Sequence, residues 1–327
     1  MNHHRRSYTR DWQRLVPLVL CTLFMAACAA PLDVWKSEMV SEGQRFCNES
    51  EGDWWYYDPA RVYYQIADFT GDKKWERCAE RAVAFYRDGY LLQNKFKVPA
   101  HNTFPHGLYM HYRRTGDAQS KEAVIMLAQH AAFANDYPAE WTKSSESSRE
   151  VAYILQTKLL ARKLGFSDAV QERLIQRLAD QAIGHYEEWF IRRDAPFIRP
   201  FMAGLTAEAL IMWYEETKDP RVVPVLAAGA EYMATHMMDS NGIFQYTDRK
   251  MPHGGTEPAE DLNWLVVPLY GFLYAETGDP KYKAWGDKAL AGGTWNSFNS
   301  FKQFNQAYRW SFDYVRYTTS KPEKAPR

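Results

Sequence analysis

The chain has 327 residues, 46% hydrophobic and 15% aromatic, and its 40 Lys and Arg balance 40 Asp and Glu. That length and apolar share suffice for a large buried core. Balanced charge leaves no basic field, which argues against nucleic acid as a partner.

The first stretch reads as a targeting segment. Arg5, Arg6, Arg10 and Arg14 precede an apolar run from Leu15 to Ala27. The run is short for a bilayer span and suits the apolar part of an export signal. It ends in Phe24-Met25-Ala26-Ala27-Cys28, which resembles a bacterial lipobox. The expectation is that residues 1–27 are removed and Cys28 carries lipid; the alternative is an ordinary signal cut at the small residues nearby. The mature chain would then face the periplasm from a lipid anchor in the cell envelope, or be secreted. Cys47 and Cys78 remain, expected as a disulfide in an oxidising compartment or else as two buried thiols.

Asp33 to Cys47 has the apolar spacing of a helix. The aromatic run Trp54-Trp55-Tyr56-Tyr57 leads to Asp58-Pro59, a helix start that continues to Thr70-Gly71-Asp72. A return helix follows over about Lys73–Leu92. The next forward helix starts after His101-Asn102-Thr103-Phe104-Pro105-His106 and ends at Gly116, with its return over Ala118–Asn135. A third pair starts in Ser144–Glu150, turns at Gly165 and returns over Asp168–Phe190. The fourth starts near Arg199, turns at Lys218 and returns over Pro220–Met237. A long loop, Met238–Pro258, precedes the fifth, which starts at Ala259, turns at Gly278 and returns over Pro280–Leu290. A last forward helix covers Asn305–Tyr317, and residues 318–327 read as a frayed tail.

The turns share one chemistry. In Thr277-Gly278-Asp279-Pro280, Gly278 suits the left-handed position that ends a helix. Asp279 can cap the next helix and Pro280 fits its first turn. The same signal recurs at Gly71 and Gly116, and more loosely at Gly165 and Lys218, at widening intervals. With the first and last helices paired, the expectation is one all-α domain over residues 28–317, of six forward and six return helices. This arrangement resembles the six-hairpin (α/α)6 toroid superfamily, whose forward helices form an inner ring and return helices an outer one. That superfamily includes glycoside hydrolases, unsaturated uronyl hydrolases, polysaccharide lyases and sugar epimerases. The resemblance is architectural and carries over no catalytic position.

The forward-to-return corners are short, whereas the return-to-forward connections are long and carry unusual residues, which places the expected site at the forward-helix starts. Trp54, Trp55, Tyr56 and Tyr57 would form a sugar-stacking wall, or simply pack there. His101, Asn102 and His106 crowd one start as candidates for proton abstraction from a uronate, although lone histidines are more often structural. Arg149 would grip a carboxylate or pair with Glu146. Arg199, His253, Asn263, Trp264, Arg309 and Trp310 complete the candidate substrate-binding set. Candidate catalytic carboxylates are Glu260, Asp261, Glu150 and Asp58, each also explicable as a helix-start acid or cap. One of Glu260 or Asp261 with one of Glu150 or Asp58 would supply the pair that glycoside hydrolysis needs. No phosphate loop, H-E-x-x-H or clustered Cys/His is present, so neither cofactor nor metal is expected. The expected activity is cleavage of an oligo- or polysaccharide by paired carboxylates. Its rivals are β-elimination on a uronate polymer and glycan binding without chemistry.

Overall fold

The computed structural model describes residues 30–49, 54–135, 144–251, 255–293 and 298–319. Residues 1–27, expected to be an export signal, Cys28, His253 and residues 320–327 lie outside that set. Twelve α-helices occur in it: α1 Pro31–Asn48, α2 Pro59–Thr70, α3 Lys74–Val83, α4 Pro105–Thr115, α5 Ala118–His130, α6 Ser148–Lys163, α7 Ala169–Tyr186, α8 Pro200–Thr217, α9 Val222–His236, α10 Val267–Thr277, α11 Pro280–Gly292 and α12 Phe301–Thr319. Among the described residues there is no strand, only isolated bridges from Met238 to Phe244 and Gln245 to Pro258. No helix of this set is long and apolar enough to cross a membrane.

The corners form as their residues dictate. Gly278 ends α10 with φ 69°, and its N–H reaches the Tyr274 carbonyl at 2.9 Å. That left-handed geometry is open to glycine without steric cost. Lys218 adopts it at φ 53° after α8. The side chains of Asp117, Asp168 and Asp279 accept the first free N–H groups of α5, α7 and α11. Each such cap stabilises its helix by about 1 kcal/mol.

Several boundaries differ from the sequence expectation. The returns after the first and third corners widen into π-helical turns at Ala84–Leu91 and Glu187–Arg192. The second return stops at His130, where Ala131 turns extended. The fifth forward segment starts as a 3-10 turn over Glu260–Leu265, and α10 begins only at Val267. Pro268 explains the break, since a residue without an N–H fits only the first turn of a helix. The last helix starts earlier than expected and takes in Thr318 and Thr319.

Successive helices pack as antiparallel partners: α2 with α3, α4 with α5, α6 with α7, α8 with α9, and α10 with α11. The even-numbered helices also touch one another in succession, α2 through α12, and α12 touches α2. At that junction α1 lies against α12, with Trp35 fully buried beside Tyr308 and Phe312 and its indole N–H donating to Ser311 Oγ at 3.0 Å. Cys47 and Cys78 form a disulfide between α1 and α3, with Cα atoms 5.7 Å apart.

Candidate functional site

The start of α2 is a strained turn. Tyr57 and Asp58 are consecutive non-glycine residues in the left-handed region, at φ 62° and 60°. Asp tolerates that geometry, but for Tyr it is unfavourable and needs fixed surroundings. Asp58 supplies them. Its carboxylate accepts Arg61 N at 3.2 Å and, across to α4, Gly107 N at 3.0 Å. The contact is close enough that a Cβ on Gly107 would sit 2.3 Å from Asp58 Oδ1.

Burial pushes the Asp58 carboxyl up to about 6, against the opposing pull of Gly107 N–H and Arg61. A carboxyl raised in the fold binds its proton there more tightly than in the unfolded chain. Its contribution is therefore full below its ordinary value of 3.8 and declines as pH rises toward about 6. Across that window wild-type stability is expected to gain a falling component with pH, no steeper than about 1.4 kcal/mol per pH unit. Urea unfolding of Asp58→Asn at several pH values should lack this component. An unchanged profile would overturn the assignment.

Below this turn lies a buried ionic network on four even-numbered helices. Arg61 of α2 and Arg309 of α12 both pair with Glu208 of α8, the latter at 2.9 Å. Arg309 also donates to the Tyr153 hydroxyl of α6 at 2.7 Å, and Arg61 lies 3.7 Å from Asp313. Glu208 and Arg309 are almost fully buried. Burial would raise the Glu208 carboxyl, but Arg309 and Arg61 reverse that and hold it below its ordinary value. His106 is held well below its ordinary value by burial first, then by Arg61 and Arg309. Part of its surface stays accessible.

The helix starts above the network bring further groups together. Glu150 pairs with Arg149 at 3.0 Å and faces His101 Nδ1 at 3.9 Å. Burial first, then Arg149, lowers the His101 pKa. The half-buried Tyr56 lies within electrostatic reach of Arg149, Arg309 and Glu150. Lys302 stands 5.9 Å from its ring centroid, and Asn305 donates to the Tyr56 carbonyl at 3.0 Å. Lys302 and Gln303 also interact with Asp261, whose carboxyl burial raises. Gln306 donates to the Asp261 carbonyl at 2.8 Å. Asn102 Oδ1, Arg149 Nε and Asn305 Oδ1 are buried and make no hydrogen bond with the described protein atoms.

Other expected residues lie elsewhere. Trp54 is wholly buried beside Tyr63 and Phe85, and Trp55 stacks on Tyr90 at 3.9 Å, so neither offers a free face. Trp264 is buried with its indole N–H on the Leu290 carbonyl at 3.0 Å. Asn263 is wholly committed to Phe244 N and to the Gly242 and Ala289 carbonyls. Trp310 is buried too. Each of these five is a packing element rather than a contact surface. Arg199 lies over Phe197 and Tyr246, and Glu260 is exposed. Arg149 pairs with Glu150 rather than Glu146.

The sequence reading missed Arg61, Tyr153, Glu208 and Lys302. Glu208 had a signal: a lone acid inside the apolar run of α8 must find a cation or remain unburied. The described residues contain no group of three His, Cys, Asp or Glu arranged to hold a metal ion. Compared with protein-family models, curated proteins and solved structures, the chain matches none.

Proposed function

We propose that the chain is an exported enzyme that hydrolyses a glycan at the starts of the even-numbered helices. In this reading Tyr56 is the sugar platform, Asp261 the general acid and Glu150 the base or nucleophile. The observation that carries it is the position of Tyr56. This half-buried aromatic lies within electrostatic reach of the Arg149–Glu150 pair and 5.9 Å from Lys302, which in turn interacts with Asp261. A tyrosine ring offers an apolar face to a sugar ring. One carboxyl raised by burial and a second held in an ion pair match the division of labour in glycoside hydrolysis.

The neighbour order of the helices supports a six-hairpin α/α toroid as the finer architecture. An experimental structure in which α12 and α2 lie apart would sink that part. The leader and the Cys47–Cys78 bond together support export and a lipid on Cys28.

The test is a panel of oligo- and polysaccharides read by new reducing ends and by ultraviolet absorbance. It uses protein expressed with its own leader and recovered from the membrane fraction. Turnover is expected to fall about 10²–10⁴-fold in both Glu150→Gln and Asp261→Asn. Saccharide binding with no turnover on any polymer would leave only a binding protein. One observation favours β-elimination as the second reading: His101, with its lowered pKa, lies beside Arg149, which can hold a uronate carboxylate. Ultraviolet-absorbing product that disappears in His101→Ala would replace hydrolysis by that reaction.

A further inference from the structure

A cavity of about 570 Å³ opens beside the proposed site, and His101 and Glu150 form part of its lining. The rest of its wall is chiefly apolar: Val98, Pro99, Ala100, Ala132 and Phe133. Lys97 and His130 add the remaining polar groups. Its size is within the range of small-molecule sites. A bare pyranose presents hydroxyls on every edge, and this wall has few groups to satisfy them. Buried polar groups without partners are costly, whereas apolar surface gains by leaving water.

A second, independent observation concerns the backbone around the cavity. Phe133, in its wall, is left-handed at φ 63°. Lys95 and Phe96, just before the lining segment that begins at Lys97, are left-handed at φ 51° and 60°. The two segments are joined by Ala132 N donating to the Val98 carbonyl at 2.9 Å. Non-glycine residues in this region persist where surroundings over-determine them, and they gather at ligand clamps. Here they fix the course of two hydrogen-bonded segments that together line the cavity.

From these observations the geometry points to a substrate whose sugar carries an apolar group, an aryl or acyl substituent, seated in this cavity against Val98, Ala132 and Phe133. The inference rests on the glycan reading of Tyr56, Glu150 and Asp261. Glu150 would lie between the two parts of the ligand, with the sugar on the Tyr56 side and the substituent on the Phe133 side. Substituted glycans should then be preferred over the same sugars unsubstituted.

The test uses full-length protein and three probes: 2-naphthyl glycosides, the matching methyl glycosides, and 2-naphthol, each titrated by calorimetry. Two variants accompany the wild type. Ala132→Trp fills the cavity from a partly accessible position. Ala118→Trp fills a separate apolar cavity lined by Leu92, Phe96 and Met126 and controls for nonspecific adsorption. Circular dichroism and urea unfolding establish that both variants are folded.

The expected result is that a naphthyl glycoside binds at least tenfold more tightly than its methyl counterpart. That advantage should be lost in Ala132→Trp and kept in Ala118→Trp. An equal advantage in wild type and Ala132→Trp, or no advantage in the wild type, overturns the inference. If 2-naphthol binds as well as every naphthyl glycoside and responds only to Ala132→Trp, the apolar site stands and the glycan reading falls. If sugars bind or turn over with no preference for the substituent, the glycan reading stands and the apolar subsite falls.

Discussion

Glu208→Gln is expected to lower the unfolding free energy by about 3–5 kcal/mol, the usual cost of removing one partner from a buried ionic network. Glu208 is the only carboxylate that joins both Arg61 and Arg309 in the network described above, and it is almost fully buried. Its neutral amide would leave two guanidinium groups facing each other across a low-dielectric interior. Arg61 would keep the longer contact with Asp313, Arg309 the Tyr153 hydroxyl, and both the weaker pull of Asp58. The measurement is the urea midpoint at constant slope, so that the change reports stability rather than compactness. A loss below about 1 kcal/mol would mean that water reaches these charges and that the network is not a dry cross-brace. Glu208→Leu combined with Arg309→Met should cost less than the sum of the two single changes, because the pair is removed together.

Gly204→Ala should cost about 3 kcal/mol or more, at or beyond the upper end for added volume in a packed interior. A Cβ there would lie 2.2 Å from the Leu265 carbonyl oxygen and 2.9 Å from its carbon. Both atoms are backbone, in the 3-10 turn that precedes Pro268, so no side chain can swing aside. Relief requires moving α8 away from the segment that carries Asp261. The same variant is therefore expected to weaken any activity that depends on Asp261. Gly184→Ala is the control: that residue faces open space in α7, and alanine there should be neutral or stabilising by up to about 1 kcal/mol. Equal stabilities for the two variants would show that the contact between α8 and the 3-10 turn is loose.

The corner chemistry was legible because its causes are local. Gly278 adopts the left-handed geometry and Asp279 caps α11 through Lys281 N at 3.0 Å, as their side chains alone require. The break before α10 was legible in principle too, since Pro268 forbids a continuous helix, yet the acidic run before it reads just as well as a helix start. The aromatic residues were misleading for a different reason. Trp54, Trp55, Trp264 and Trp310 look like sugar platforms in a sequence, where an exposed ring and a buried one are the same letter. Tyr56 stays half-buried among them, with Trp55, Tyr57 and Phe104 packed edge-on against its ring.

By itself the sequence determined the helices, their corners and the faces that seek a core, since these follow from capping, φ preference and apolar spacing within a few residues. Only the tertiary structure decided which charges meet. Arg61, Tyr153, Glu208 and Arg309 come from four separate helices, and no local rule can pair residues that far apart along a chain. Electrostatic energy depends on distance and on the surrounding dielectric, and both exist only once the helices have been brought together.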